Sequence, residues 1–153
     1  MKRAALGLLS LVVLLQGCSR QEYIVVTNRT GADLAIEYEI ELPMNGFPIF
    51  NEVPRVYDLA ANDAFRWDKT RPIVDLDTMR SRVVFILPPG KGLMIGGLSN
   101  DTYTSHDQYF INGRHFNLKR LSVRRGRTTT VIKPELFDQY FTKQGNLVIY
   151  RIS

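Results

Sequence analysis

The chain has 153 residues, 44% of them hydrophobic, 10% aromatic and 23% charged, with a formal net charge of +5. These values exclude a disordered chain, a collagen-like one, a coiled coil and a polytopic membrane protein; a chain of this length buries roughly two-thirds of its unfolded surface. One cysteine and two histidines are too few for a disulfide framework and leave a metal site almost no thiolate or imidazole ligands, so none is expected.

Lys2 and Arg3 open the chain with positive charge, and Ala4 to Leu15 follow, apolar apart from Gly7 and Ser10. This is the layout of a secretory signal, and it is too short for a spanning helix, which needs about 20 apolar residues. Leu15-Gln16-Gly17-Cys18 comes next. These residues resemble the lipobox of bacterial lipoproteins, with Gln16 in place of the usual small residue. The resemblance covers residues 1–18 and implies that residues 1–17 are removed. Cys18 then becomes the mature N-terminus, carrying a diacylglycerol and an N-acyl chain. Several chains at about 0.8 kcal/mol per buried methylene hold a protein to a bilayer durably. Ser19, where an Asp would imply inner-membrane retention in enterobacterial lipoproteins, implies the outer membrane, and no acidic surface-export tag follows. The expected location is therefore the outer membrane, lipid-anchored and facing the periplasm, with surface display as the alternative. Residues 18–22 form a very short tether of at most about 14 Å.

From Tyr23 onward, strand periodicity dominates. Ile24-Val25-Val26 and Leu34, Ile36, Tyr38, Ile40, Leu42, alternating with Ala35, Glu37, Glu39 and Glu41, predict a first hairpin across Arg29–Ala32. Val83–Leu87 is apolar throughout and reads as a central strand covered on both faces. Gly96-Gly97 after Leu93–Ile95 marks a bulge or a close backbone approach. Asn112-Gly113 predicts a hairpin joining Tyr109–Ile111 to Arg114–Phe116, and Arg125-Gly126 one joining Leu118–Val123 to Thr128–Ile132. Pro134, with Leu136, Phe137, Tyr140 and Phe141 on one face, predicts a short helix near 134–141, and Leu147–Tyr150 a last strand. Trp67 alternates like a core-facing strand residue. The expected fold is one all-β domain over 23–153, an antiparallel β-sandwich of about eight to ten short strands.

Two features invite a functional role. Pro43, Pro48 and Pro54 enclose an apolar stretch containing Met44, Phe47, Ile49, Phe50 and Val53. It reads as one long irregular connection, either a preformed contact for a partner protein, with Met44, Phe47, Ile49 and Phe50 as contact residues, or a lid on the core. Arg114, His115, Lys119, Arg120, Arg124, Arg125 and Arg127 crowd one hairpin without an intervening acid. They suggest either an anionic-ligand patch, for a glycan or a lipid head group, or a solvated strand face. Tyr103, Tyr109 and Phe110 are the aromatic candidates beside them. Nucleic acid is not expected, because an exported, tethered protein rarely meets it.

Other motifs fail on chemistry. Thr104-Ser105-His106-Asp107 places nucleophile, base and acid side by side, whereas triads converge from distant positions, so it reads as a polar loop. Gly90-Lys91-Gly92 lacks the first glycine and the Ser or Thr of a phosphate loop. Asp58, Asp63, Asp68, Asp75 and Asp77 match no calcium-loop spacing and suit turns. Asn28-Arg29-Thr30 and Asn100-Asp101-Thr102 match a eukaryotic glycosylation sequon, read here as coincidence. No catalytic role and no cofactor beyond the acyl groups on Cys18 is expected. The leading expectation is a structural or accessory lipoprotein docking on a larger envelope assembly through the 43–54 loop or an exposed sheet edge. The alternative is an anionic-ligand-binding module built on residues 114–127.

Overall fold

A computed structural model describes residues 20–41, 46–60, 67–73, 77–79, 81–104, 108, 110 and 113–153. The signal, Cys18, Met44, Asp63, Asp75, the Ser105–Asp107 run, Tyr109 and Asn112 lie outside these residues. The described strands are β1 (Gln21–Asn28), β2 (Leu34–Ile40), β3 (Phe47–Pro48), β4 (Phe50–Asp58), β5 (Arg71–Pro72), β6 (Asp77–Met79), β7 (Arg82–Leu87), β8 (Lys91–Ser99), β9 (Arg114–His115), β10 (Leu118–Arg125), β11 (Thr128–Ile132), β12 (Thr142–Gln144) and β13 (Leu147–Ile152). A six-stranded sheet in the order β12-β13-β1-β8-β4-β5 packs on a five-stranded sheet in the order β11-β10-β2-β7-β6, with β3-β9 as a separate ribbon. One core joins Ile24, Val26, Leu93 and Ile95 of the first sheet to Leu34, Ile36, Tyr38, Leu121 and Val123 of the second. The fold is thus an all-β sandwich. It has more strands than expected because several are pieces of two or three residues.

Strict alternation makes β2 a one-sided strand: Leu34, Ile36, Tyr38 and Ile40 are buried, and the residues between them are only half-buried. Its outer face carries Glu37 and Glu39, tied by Arg82 Nη2 to Glu37 Oε2 at 2.6 Å and by Arg120 Nη2 to Glu37 Oε1 and Glu39 Oε1 at 2.9 and 2.8 Å. The strand covered on both faces is β1. Its outward-facing Val25 packs with Tyr57, Met94, Leu147 and Ile149 in a second, smaller cluster. Val83–Leu87, expected to be covered twice, is instead wet on one side, with Ile86 49% exposed. The cause is its place beside the short edge strand β6, on a sheet whose outer face nothing in the described chain covers.

The expected first hairpin does not form, because β1 and β2 belong to different sheets. The buried side chain of Asn28 turns the chain between them. Its Oδ1 accepts from the Thr30 amide at 3.0 Å and the Thr30 hydroxyl at 2.7 Å, and its Nδ2 donates to the carbonyls of Ala32 and Leu87 at 2.9 and 2.8 Å. These local bonds give the backbone a corner instead of a ladder. Most of the first half of the Asn112-Gly113 hairpin, Tyr109, Ile111 and Asn112, lies outside the described residues. Gly113 has the positive φ of a turn, and Arg114–His115 pairs in parallel with Phe47–Pro48. A second parallel pair unites the chain's first and last strands, with Tyr23 opposite Leu147 through Asn28 opposite Ile152. The Leu118–Val123 and Thr128–Ile132 hairpin forms as expected, with Gly126 at positive φ.

The proline-bounded segment is mostly strand, not an irregular connection. Between Phe50 opposite Gly96 and Arg55 opposite Met94, β4 bulges outward. Pro54 sits in that bulge, where its missing N–H costs no ladder bond, and its carbonyl accepts from the Ile73 amide at 3.0 Å. Gly96 meets the expectation of a close approach, since a Cβ there would lie 2.4 Å from the Ile49 carbonyl oxygen. Residues 134–141 form a 3-10 turn (Pro134–Leu136) and one α-turn (Phe137–Tyr140), burying Phe137 and Phe141. Trp67 lies on a 3-10 turn, not on a strand.

Asn28→Ala should lower stability by about 3 kcal/mol, read as a shifted urea midpoint with an unchanged slope, because several buried polar groups lose their partner together. An unchanged midpoint would show that the corner holds without the side chain.

Candidate functional site

Where β1 begins defines the lower end of the sandwich. The Asn100 amide donates to the Arg20 carbonyl at 2.8 Å, and Gln21 pairs with Ser99 in the ladder and through their side chains at 2.9 Å. Among the described residues, pairing begins at Arg20, two residues after Cys18 in sequence. Next in the strand is Glu22, a carboxylate only 1% exposed. Its Oε1 receives Lys143 Nζ, Arg20 Nη2 and the Thr102 hydroxyl, each at 2.8 Å, and its Oε2 accepts from the Tyr103 amide at 2.8 Å. Burial alone pushes this carboxyl up. The bonds from Lys143, the Tyr103 amide and Thr102, together with the Lys143 charge, outweigh burial and hold it below its ordinary value. Glu22 thus ties the start of β1 to β12 and to the segment after β8. The expectation of a short tether ending near Tyr23 did not anticipate this node, although an acid beside a strand start and a lone Lys143 before the Gly145-Asn146 turn are its visible components.

The expected partner-contact residues divide. Ile49 and Phe50 are each 1% exposed and belong to the core, which corrects their assignment to a contact surface. Phe50 meets Phe116 and Phe137 edge-on at 5.0 and 6.1 Å, and Phe137 stacks on Phe141 at 4.0 Å. Asn117, which the sequence did not single out, fixes this segment: its Oδ1 accepts from the Ile49 and Phe50 amides at 3.0 and 2.8 Å, and its Nδ2 donates to the Phe50 carbonyl at 3.2 Å. The available signal was an amide residue inside the apolar run Phe116–Leu118. Phe47, by contrast, is 62% exposed, with the Arg114 guanidinium 5.4 Å from its ring centre.

The basic residues do not form one patch. Arg114 sits at the lower end, its Nη2 donating to the Ser99 carbonyl at 3.1 Å. Arg120 is committed to Glu37 and Glu39, acids supplied by the neighbouring strand. Lys119, Arg124, Arg125 and Arg127 are exposed. Arg124 lies opposite Ala35 at the upper end, about 20 Å along β10 from Leu118. Arg125 Nη1 donates to the Ser153 carbonyl at 3.1 Å. Tyr103 and Phe110, candidates for stacking on a ligand, are buried, and the Tyr103 hydroxyl donates to Asp138 Oδ1 at 2.6 Å.

An open cleft of about 670 Å³ lies between the sheets near the upper end, lined among others by Val56, Asp58, Arg71, Phe85 and Lys91. Asp58 pairs there with Lys91, which holds the Asp58 carboxyl below its ordinary value. Among the described residues no cluster of His, Cys, Asp or Glu could hold a metal ion, and no helix is long and apolar enough to cross a membrane.

The sheet edges differ sharply. β5 is Arg71-Pro72, β6 has three residues, and β12 is a three-residue strand with Lys143 at its centre. The edge strand β11 is Thr128-Thr129-Thr130-Val131-Ile132, entirely β-branched, without charge or proline, and Val131 is 41% exposed. No family model, characterised protein or solved structure matches the chain.

Phe50→Ala should cost about 3–5 kcal/mol in urea denaturation, and Phe47→Ala less than about 0.5 kcal/mol. Equal losses would return Phe47 to the core. Glu22→Gln should lose about 2 kcal/mol at neutral pH. A carboxyl held low when folded stabilises fully above its unfolded value, near the ordinary 4.5, and that stability drains as pH falls through the folded value. The gap between wild type and Glu22→Gln should therefore close below pH 4.5, and a gap independent of pH would remove the charge from the account.

Proposed function

We propose that this chain is a lipid-anchored, non-catalytic component of the bacterial outer membrane, facing the periplasm, that joins a larger envelope assembly by protein contacts. Leu15-Gln16-Gly17-Cys18 carries the anchoring half of this proposal. The edge of β11, unpaired by any described strand, carries the docking half, in which an extended strand of an envelope protein adds to the five-stranded sheet. Edges are normally shortened, charged or interrupted by proline, because unpaired N–H and C=O groups recruit other strands. β5, β6 and β12 follow that rule and β11 does not. Main-chain bonds would supply affinity, and Thr129 and Val131, on the outer face opposite Arg124 and Ser122, would supply selectivity. With Ile49 and Phe50 in the core, the edge replaces the 43–54 segment as the docking element.

The test is a tagged pulldown from solubilised membranes of the native host. Wild type should bring down one stoichiometric envelope protein, and amides 128–132 should gain hydrogen-exchange protection in the complex. Thr129→Lys with Val131→Lys should keep the fold and lose that partner at least tenfold. Retention by the double variant, or no partner with folded wild type, would overturn the edge as the docking element.

A second proposal is favoured by the exposure of Arg124, Arg125 and Arg127 around one turn. An anionic glycan held there would bind with a steep salt dependence and lose affinity when all three are reversed in charge. A salt-independent interaction would exclude it.

A further inference from the structure

We propose that the lower end of the sandwich is a membrane-contact surface, in which Phe47, with the Arg114 guanidinium over its ring, enters the headgroup layer of the bilayer that holds Cys18. This rests on the lipid-anchored reading and adds an orientation to it. Cys18 is two residues from Arg20, whose carbonyl is already bonded to Asn100, so the link spans at most about 7 Å. That is about the depth of one headgroup layer. The start of β1 therefore lies against the lipid surface, whatever face the rest of the domain presents.

Chain direction and one side-chain link bring Phe47 to the same end. Ile24 and Phe50 are both opposite Gly96, so the three share one row across β1, β8 and β4. Phe47 precedes Phe50 by three residues, as Gln21 precedes Ile24, and both steps lead toward the lower end. Phe47 leaves that sheet for the β3–β9 ribbon, where Arg114 is its ladder partner. Arg114 closes the link, since its guanidinium covers the Phe47 ring and bonds to Ser99, the ladder partner of Gln21.

Chemistry matches place. Phe47 is the most exposed large hydrophobic residue among those described, and a single exposed phenylalanine would otherwise need no explanation. Here it stands beside a cation at the anchored end, and Arg20, with its side chain 59% exposed, adds another. An aromatic ring beneath guanidinium groups suits the boundary where phosphates overlie acyl chains. The cations of the 124–127 turn are at the opposite end and take no part.

The test places p-benzoylphenylalanine in the full-length chain, as Phe47→p-benzoylphenylalanine and, for comparison, as Arg127→p-benzoylphenylalanine, in a Gram-negative host. Irradiated cells are scored for phospholipid adducts by mass and for protein adducts by gel shift. Acylation is read on the same samples with alkyne-tagged palmitate, using Cys18→Ser as control. Phospholipid adducts at position 47 should exceed those at 127 at least tenfold. Equal yields, or a protein adduct at 47, in palmitate-labelled protein would overturn the orientation and leave the anchor standing. Loss of the label itself would overturn the anchor, and the orientation with it.

Discussion

The side chain of Asn28 sets the course of the chain. At the end of β1 it offers a carbonyl oxygen to Thr30 and an amide to Ala32 and Leu87. The following strand therefore enters the opposite sheet rather than folding back beside β1. β1 is then free on both edges, and β8 and β13 take them. β2 is free likewise, and β7 and β10 take its two sides. A hairpin at residues 29–32 would have filled one edge of each strand and made this pairing impossible.

Both ends of the sandwich follow from that crossing. At the lower end the core is closed by aromatic rings, with Phe137 touching Phe50, Phe116, Tyr103 and Phe141. Beside them a buried carboxylate, Glu22, is fully engaged by hydrogen bonds and two cations. A buried charge with one partner removed is costly, so such a node defines one geometry for the strand start rather than adding much net stability. The upper end is looser, with turns, exposed arginines and an open cleft. The more sharply defined end is thus the one next to the cysteine.

Period-two patterning and turn chemistry made most of the strands legible. β2 was readable from its alternation, the β10–β11 hairpin from Arg125-Gly126, and the short helix from Pro134 and its aromatic face. What stayed hidden is long-range. Whether strand neighbours in sequence pair or cross to another sheet depends on side-chain bonds such as those of Asn28, which in sequence look like a stray sequon. The apolar run Val83–Leu87 carried no sign that one face would remain wet, because that depends on strand order. The pairing of charge stayed hidden for a related reason: Arg120 belongs to a basic run along the chain, yet its spatial neighbours are Glu37 and Glu39 of another strand. Phe47 and Phe50, three residues apart and chemically identical, lie on opposite sides of the line between surface and core, with Asn117 bonded to the buried one and Arg114 over the exposed one.

The parallel pairing of β1 with β13 has a consequence for how the chain is made. Residues 21–28 acquire one of their two ladder partners only from residues 147–152. A polypeptide made from its N-terminus exposes β1 early and leaves it half-paired until residues 147–152 have followed. Contacts of such sequence separation make assembly slow and late. The six-stranded sheet therefore closes only once residues 147–152 are available to β1.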